Sequence, residues 1–171
     1  MTLPPGPILW LTGLPASGKT TVARALVAAL AAERRVTLHL DSDDLRPFFP
    51  GYDQAGRDRF YAALAHLARR GAEGGAIVVV SATASRRAYR DAARAQAPGA
   101  FLEVYLTADL ALVAARDPKG LYAAARRGEV ADLPGVGARY EPPLAPELTL
   151  DAAGAIAAHV AALRGALAPS T

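Results

Sequence analysis

The sequence predicts an α/β fold in which helices cover both faces of a parallel sheet. Strand-like apolar runs alternate along the chain with helical stretches, and this alternation indicates consecutive β-α-β units with parallel strands. The run at 77–80 is wholly apolar, which is typical of a strand buried on both faces. The strand-like runs lie at about 7–12, 36–41, 76–81, 101–106 and 147–150. The helical stretches lie near 19–33, 56–71, 87–96, 108–115, 119–127 and 152–166.

Length and composition restrict the classes of protein that this chain can represent. Its 171 residues fit a single domain, 1–171, and it has no cysteine, so neither disulfides nor thiolate metal sites are expected. A net charge of +3 from scattered arginines, with few aromatic residues, argues against nucleic-acid binding. Pro4, Pro5 and Pro7 argue against a signal peptide, and the apolar runs are far shorter than a membrane span. We therefore expect a cytoplasmic protein without nucleic-acid or membrane partners.

The first strand, 7–12, leads into a loop whose pattern is typical of phosphate binding. Gly13, four residues and then Gly18-Lys19-Thr20 fit the P-loop pattern G-x-x-x-x-G-K-[ST]. Backbone N–H groups in such a loop point inward, and the following helix adds its positive N-terminal end. Lys19 supplies a mobile charge for the outer phosphates, and the Thr20 hydroxyl can bind Mg²⁺. The alternative is a glycine-rich turn without a ligand. The other loop residues predicted at the nucleotide are Ala16, Ser17 and Thr21.

The second strand, 36–41, ends in the acidic segment LDSDDLR at 40–46. One interpretation is a helix N-cap, the usual role of aspartates at such a position. Beside a P-loop, however, a carboxylate can hold Mg²⁺ through water or accept a proton from an acceptor hydroxyl. Both roles stay open for Asp41 and Asp43. Arg46, one turn later, is suited to meet an anionic substrate.

Two later segments also follow strands of the predicted sheet. The segment SATASRR at 81–87 comes directly after the third strand, at the sheet edge where parallel sheets bind their ligands. The basic segment AARDPKGLYAAARRGE at 114–129 comes after the helix that follows the fourth strand. It is either a solvated helix face or a mobile lid whose cations close over phosphates. A loop with Gly135 and Gly137 follows, so we predict a lid at about 116–137.

These motifs resemble those of the adenylylsulfate kinase family, which phosphorylates the ribose 3′-hydroxyl of adenosine 5′-phosphosulfate with Mg-ATP. GLPASGKTT resembles the family's G-L-S-G-S-G-K-S-T, and LDSDDLR resembles its L-D-G-D-N-V-R. RDPKGLYAAARRGE is very similar to the family's lid, and RYEPPLAPELTLD to its Y-E-x-P-x-x-P-E-L-x-L-D. The resemblance covers about residues 7–152. It implies a P-loop NTPase three-layer sandwich with a five-stranded parallel sheet of order 2-3-1-4-5.

The resemblance also implies a role for each residue of the site, with ATP and Mg²⁺ as cofactors and a small anionic molecule as acceptor. Thr20 and Asp41 would hold Mg²⁺, and Arg116 would lie against the ATP adenine. A homodimer is also compatible with the family resemblance. The implied catalytic residues are Lys19, Asp41, Asp43 and Lys119. The implied acceptor-binding residues are Asp43, Arg46, Arg59 and Lys119.

The acceptor side of the predicted site departs from the family. Two family phenylalanines, which are expected to sandwich the acceptor adenine, are Gln54 and Leu133 in this chain. Losing both removes stacking worth roughly 1–3 kcal/mol per aromatic. We therefore expect adenylylsulfate to be a weak acceptor unless Phe48 or Tyr52 supplies a new platform. A family serine that is sometimes phosphorylated is Ala84 here.

Two further functions stay open at this point. One is a kinase of the same architecture that acts on a different anionic or nucleotide-like small molecule. The other is a regulatory protein that binds a nucleotide without catalysis, and the intact Lys19, Thr20, Asp41, Asp43 and Lys119 argue against it.

Overall fold

The computed structural model describes residues 4–51 and 53–168 and contains the predicted sheet. Every neighbouring pair of strands is parallel, and the strand order is β2-β3-β1-β4-β5. The predicted fold class and strand order are therefore confirmed. The strands are β1, Ile8–Thr12; β2, Thr37–Asp41; β3, Ile77–Ser81; β4, Phe101–Thr107; and β5, Leu148–Asp151.

Six of the helices match the predicted stretches within a few residues, and α2 was not predicted as a separate element. It fills the acidic segment and is followed by a 3₁₀ turn at Arg46–Phe48. α3 begins two residues earlier than predicted because the Asp53 side chain accepts the Gly56 N–H at 2.9 Å and caps it. Within residues 4–51 and 53–168, no helix is long and apolar enough to cross a membrane. The helices are α1, Lys19–Ala32; α2, Ser42–Leu45; α3, Gln54–Glu73; α4, Arg87–Gln96; α5, Leu110–Arg116; α6, Leu121–Arg126; and α7, Ile156–Ala166.

The central strand β1 is buried on both faces, and its side chains divide between two cores. Ile8 and Trp10 pack in a cluster that includes Phe60 of α3. Leu9 and Leu11 pack on the opposite side, with residues of α1 and α7. This alternation follows from the two-residue period of a strand, and it produces the three layers of helix, sheet and helix.

The register of the strands places the segments predicted to form the site at one edge of the sheet. Asp41 of β2 pairs with Ser81 of β3, and Ser81 pairs with Leu11 of β1. The P-loop, the acidic helix α2 and the loop 82–86 therefore begin side by side. This is the carboxyl edge, where parallel α/β sheets bind their ligands.

The loop 82–86 is fixed by a buried cation. Ala84 in this loop is buried and has a φ of +40°, a conformation that costs an L-residue free energy and persists only where the surroundings impose it. The buried Arg90 guanidinium donates to the Ala84 carbonyl and, at 2.6 Å, to the Glu141 carbonyl. Its Nε lies 2.6 Å from Glu103 Oε1, which compensates the buried charge. The loop is therefore a rigid part of the site.

Candidate active site

The loop between β1 and α1 has the backbone geometry of a phosphate cradle. Gly18 caps α1 with a φ of +98°, and Ala16 has a φ of +62°. Both are left-handed conformations, which turn the backbone sharply at the start of the helix. A Cβ on Gly13 would lie 2.5 Å from the Leu106 carbonyl oxygen, so the close packing of the loop against β4 requires glycine there. The N-terminal end of α1 then faces the space that the loop encloses.

Lys19 is only 8% exposed, and its ammonium group lies inside the loop. Nζ donates to the carbonyl oxygens of Gly13 at 3.0 Å and Leu14 at 2.8 Å, and it lies 3.4 Å from Ser17 Oγ. Burial lowers the pKa of Lys19 to about 8, although the nearby carboxylates of Asp43 and Asp41 favour the charged form. The lysine is thus a desolvated cation held by weak neutral partners, ready to exchange them for anionic oxygens.

Asp41 joins the P-loop to the second and third strands. Its Oδ2 accepts hydrogen bonds from Thr20 Oγ1 at 2.7 Å and from Ser81 Oγ at 2.9 Å, and Oδ1 accepts the Asp43 N–H at 2.8 Å. Because the Ser81 hydroxyl gives its proton to Asp41, His39 Nε2 donates to Ser81, at 2.9 Å. Burial opposes ionisation of Asp41, but these hydrogen bonds outweigh it and lower its pKa. Asp41 is therefore a fixed carboxylate beside the Thr20 hydroxyl.

The Thr20–Asp41 pair suits a magnesium ion that arrives with a nucleotide. Hydroxyl and carboxylate oxygens are hard ligands, and Mg²⁺ keeps several waters and is commonly bound through one or two protein oxygens and substrate phosphates. Within residues 4–51 and 53–168, no group of three His, Cys, Asp or Glu side chains forms a metal cage. The residues present fit the shared coordination of a nucleotide-bound ion.

The structure separates the two roles that were open for the acidic segment. The N-cap of α2 is Asp41, whose side chain accepts the Asp43 N–H. The Asp43 side chain does not cap the helix; it is largely exposed and pairs with Lys119 of the lid. The Asp43 carboxylate is thus not needed to cap α2, and it is contacted by Lys119 of the lid.

The lid is anchored to the P-loop by a tyrosine. The hydroxyl of Tyr122, in α6, donates to the Pro15 carbonyl oxygen at 3.0 Å, and burial raises the pKa of Tyr122 to about 12. Asp117 accepts the N–H groups of Tyr122 at 3.1 Å and Ala123 at 2.9 Å, which satisfies the N-terminus of α6. These contacts hold the backbone on both sides of Lys119, whose side chain pairs with Asp43.

A cavity of about 680 Å³ runs between the P-loop, α2 and the lid. Arg116 donates to the Ala152 carbonyl at 2.8 Å, and its guanidinium lies above Gly18. Two predicted loop residues, Gly13 and Ser17, lie behind the lining and support it. The predicted residues that line the cavity are Ala16, Gly18, Lys19, Thr20, Thr21, Asp41, Asp43, Arg116 and Lys119. The lining residues that the sequence did not single out are Arg24, Thr83 and Tyr122, among others.

Arg46 and Arg59, predicted to bind the acceptor's anion, lie outside the lining of this cavity and adjoin the turn at Gly51. Arg46 donates to the Gly51 carbonyl at 2.6 Å, and its guanidinium lies 4.8 Å from the centre of the Phe60 ring. A Cβ on Gly51 would lie 3.8 Å from the Arg59 guanidinium. The two arginines therefore converge on one turn next to α2, and their predicted role in acceptor binding stays a prediction.

The two residues that replace the family's phenylalanines have contacts of their own. Leu133 is 4% exposed and packs with Val113 and Tyr122 in the core of the lid. Gln54, at the start of α3, donates to the Asp58 carboxylate and the Tyr89 hydroxyl. Of the two suggested substitutes, Phe48 is 79% exposed and Tyr52 lies outside the described residues. Tyr89, which no sequence motif singled out, is the aromatic residue beside Gln54.

Comparisons with known proteins agree with the geometry of the site. The family described as Adenylylsulphate kinase matches residues 5–151. An adenylyl-sulfate kinase of Shewanella sp. (strain ANA-3) is 38% identical over 161 residues, 91% of this chain and 78% of that protein. One of Burkholderia ambifaria is 39% identical over 145 residues, 82% of this chain and 80% of that protein.

Solved structures give the same result. The Mycobacterium tuberculosis APS kinase in complex with AMPPNP and APS has a TM-score of 0.90 and 33% identity, covering 96% of this chain and 98% of that one. The hexameric APS kinase from Thiobacillus denitrificans has a TM-score of 0.71 and 26% identity, covering 95% of this chain and 29% of that one. These matches confirm the predicted family and the predicted enzyme class, an ATP-dependent phosphotransferase.

Proposed function

We propose, since the chain belongs to the adenylylsulphate kinase family, that it transfers the γ-phosphoryl group of ATP to the 3′-hydroxyl of adenosine 5′-phosphosulfate. The observation that carries this proposal is the continuous cavity between the P-loop, the acidic helix α2 and the lid. Such a space holds a donor triphosphate at one end and an acceptor hydroxyl at the other, with the lid excluding water.

At the donor end, Lys19 exchanges the carbonyls of Gly13 and Leu14 for oxygens of the β and γ phosphates. The negative charge of the triphosphate then keeps the ammonium protonated. Arg116, above Gly18 at the mouth of the cavity, lies against the ATP adenine. The Thr20 hydroxyl and, through water, the Asp41 carboxylate would hold Mg²⁺. When bound, this ion neutralises charge that develops on the transferring phosphoryl group.

At the acceptor end, Asp43 orients the 3′-hydroxyl or takes its proton as the oxygen attacks the γ-phosphorus. The bond from the γ-phosphorus to the β–γ bridging oxygen breaks in the same in-line step, and ADP leaves. Lys119 moves from the Asp43 carboxylate to the transferring phosphoryl group, which frees the carboxylate for the hydroxyl. Arg46 and Arg59 bind the phosphosulfate anion from the side of Gly51.

The direct test is phosphoryl transfer from radiolabelled ATP to adenylylsulfate, with Mg²⁺ present. We expect a labelled 3′-phosphorylated product, and we expect the Lys19→Ala variant to lose transfer. Positioned charges of this kind supply several kcal/mol of transition-state stabilisation, so the loss is on the order of a thousandfold. Transfer by Lys19→Ala at the wild-type rate would contradict the assignment of the P-loop.

A second candidate function keeps the chemistry and changes the acceptor. It is favoured by Gln54 and Leu133, which leave neither predicted stacking position aromatic. The same assay, with adenosine 5′-monophosphate and other small phosphate or sulfate esters, decides between the two by the ratio of their kcat/KM values. ATP binding without transfer to any of these acceptors would favour the non-catalytic alternative. The homodimer stays a prediction, for which sedimentation of the purified chain is the measurement.

A further inference from the structure

A second cavity of about 200 Å³ lies beyond the first, on the far side of the loop 82–86. Thr83 lines the first cavity and Ser85 lines the second. Two residues of chain span at most about 7 Å, so the two spaces are close neighbours. A ligand with its reacting hydroxyl in the first cavity can therefore extend into the second. At about 30 Å³ per water molecule, the second cavity has room for about seven waters, which suits one ring system rather than a whole nucleotide.

One wall of the second cavity is a closed ring of hydrogen bonds between three side chains. Gln54 Nε2 donates to Asp58 Oδ1 at 2.5 Å and to the Tyr89 hydroxyl at 2.7 Å. The Tyr89 hydroxyl in turn donates to Asp58 Oδ1 at 2.8 Å. Both amide protons of Gln54 and the phenolic proton of Tyr89 are thereby used. The amide oxygen, Gln54 Oε1, is the acceptor that this ring of hydrogen bonds leaves for a ligand.

The Tyr89 ring is also fixed by packing. It stacks on Tyr61 with the ring centres 4.3 Å apart and the planes at 24°. The Tyr61 hydroxyl accepts the Ala84 N–H at 3.1 Å, and the Tyr61 ring packs edge-on against Phe60. Tyr89 is thus held by hydrogen bonds at its hydroxyl and by stacking on one face, and it is tied to the loop that separates the cavities. Its orientation is set before a ligand binds.

Guanidinium groups form much of the remaining wall. Arg57 is paired with Asp132 of the lid, and the Glu141 carboxylate accepts the Arg87 N–H at the start of α4. The side chains of Arg86 and Arg139 form no hydrogen bond or salt bridge with residues 4–51 and 53–168, and their charges act on the nearby carboxylates of Asp58 and Glu141 respectively. A planar guanidinium stacks readily on a heterocyclic ring. The cavity therefore offers a tyrosine ring, two planar cations and one amide acceptor.

We infer that Tyr89, positioned by Asp58 and Gln54, is a specificity-determining residue for the acceptor, whose planar base lies in the second cavity. This inference rests on the proposed function, because it takes the acceptor to be a nucleotide. The base lies against the Tyr89 ring and a guanidinium, and Gln54 Oε1 accepts a hydrogen bond from an exocyclic amine. Recognition by one aromatic ring, one amide and cations replaces recognition between two phenylalanines.

The test combines binding and kinetics on three variants. Tyr89→Ala removes the ring, Tyr89→Phe removes the hydroxyl that bonds to Asp58, and Gln54→Leu removes the amide oxygen. Tyr105→Phe is the matched control, since Tyr105 lies in β4, lines neither cavity and its hydroxyl makes no hydrogen bond within the described residues. Each protein is titrated calorimetrically with adenylylsulfate and with its inosine counterpart, which lacks the exocyclic amine, and kcat and KM are measured for ATP and adenylylsulfate.

We expect Tyr89→Ala to weaken adenylylsulfate binding about 5- to 150-fold, the range for loss of one base–aromatic stack, and to leave the KM for ATP unchanged. Gln54→Leu is expected to reduce the preference for the adenosine over the inosine acceptor by about 2- to 12-fold, the value of one hydrogen bond. Tyr89→Phe should fall between the wild type and Tyr89→Ala, and Tyr105→Phe should match the wild type.

The outcomes separate this inference from the proposed function. Adenylylsulfate that binds through Tyr89 but is not phosphorylated would overturn the function and support the inference. Adenylylsulfate that is phosphorylated with the same KM by the wild type and Tyr89→Ala would overturn the inference and leave the function standing. A wild type that neither binds nor phosphorylates adenylylsulfate overturns both. Unchanged circular dichroism and melting temperature in Tyr89→Ala exclude a loss of fold as the cause.

Discussion

Lys19 should lose its charge at an unusually low pH for a lysine. Its side chain is buried in the P-loop, where three neutral oxygens replace water, and its pKa falls from 10.5 to about 8. This difference corresponds to roughly 3 kcal/mol against the charged form. The pKa of the folded state lies below that of the unfolded chain. Burial of Lys19 therefore lowers the free energy of unfolding by the full amount below about pH 8. This loss of stability disappears as the pH rises from about 8 to 10.5.

The same shift sets the pH dependence of ATP capture. The free enzyme needs the Lys19 ammonium to bind the phosphates, and kcat/KM reports the free enzyme. We expect kcat/KM for ATP to fall about tenfold per pH unit above pH 8. In the ATP complex the triphosphate raises the pKa of Lys19, so the fall in kcat should lie at higher pH.

The chain has only two lysines, Lys19 and Lys119, which makes the titration directly observable. In protein labelled with ¹³C-lysine, each Cε gives one signal, and the Lys119→Gln variant assigns them. The Lys19 signal should titrate with a midpoint near 8 and move to higher pH on addition of the ATP analogue AMPPNP. Lys19→Arg keeps its charge at every pH in this range, so its remaining kcat/KM should lack the alkaline fall. A Lys19 midpoint above 10, or a wild-type kcat/KM that is flat to pH 9.5, would refute the reasoning.

Two further predictions concern the acidic helix and the acceptor side. Asp43→Asn should lower kcat about 10²- to 10⁴-fold if the carboxylate takes the proton. ATP affinity and melting temperature should be unchanged, because Asp41 caps α2 and an exposed ion pair contributes about 0–1 kcal/mol. A variant that melts early and regains activity as Asp43→Ser would restore the capping interpretation. Gln54→Phe with Leu133→Phe should lower the melting temperature by roughly 2–12 °C and fail to improve the KM for adenylylsulfate. A lower KM at unchanged stability would contradict this.

The sequence predicted most of the fold because its signals are local. Each strand is a short apolar run, and each long helix repeats apolar residues at helical spacing, so five strands and six helices were found within a few residues. The P-loop pattern also predicted Lys19 and Thr20 at the cavity. The helix α2 was missed because it has four residues, too few for a periodic pattern, and depends on one cap from Asp41.

Some contacts of the site depend on strand register. Asp41 meets Ser81 because β2 and β3 pair in that register, 40 residues apart in the chain. The cap of α2 is a separate, local hydrogen bond from the Asp43 N–H to Asp41 Oδ1, and it leaves the Asp43 side chain available for the acceptor. Tyr89 was missed because its partners Asp58 and Gln54 lie on another helix. No spacing rule within one segment predicts such a group.

Leu133 is buried, so a phenylalanine cannot be restored at this family stacking position without repacking its surroundings. The sequence showed only that Leu133 stands where the family has a stacking phenylalanine. In the structure this leucine is part of the lid core with Val113 and Tyr122, and Tyr122 is the residue that anchors the lid to Pro15. A larger ring in that core costs about 1–3 kcal/mol and displaces the lid that carries Lys119. Gln54→Phe would in turn remove the amide that fixes Tyr89. The acceptor side is therefore packed differently from that of the family. Leu133 is needed for the core of the lid, and Gln54 is needed for the wall of the second cavity.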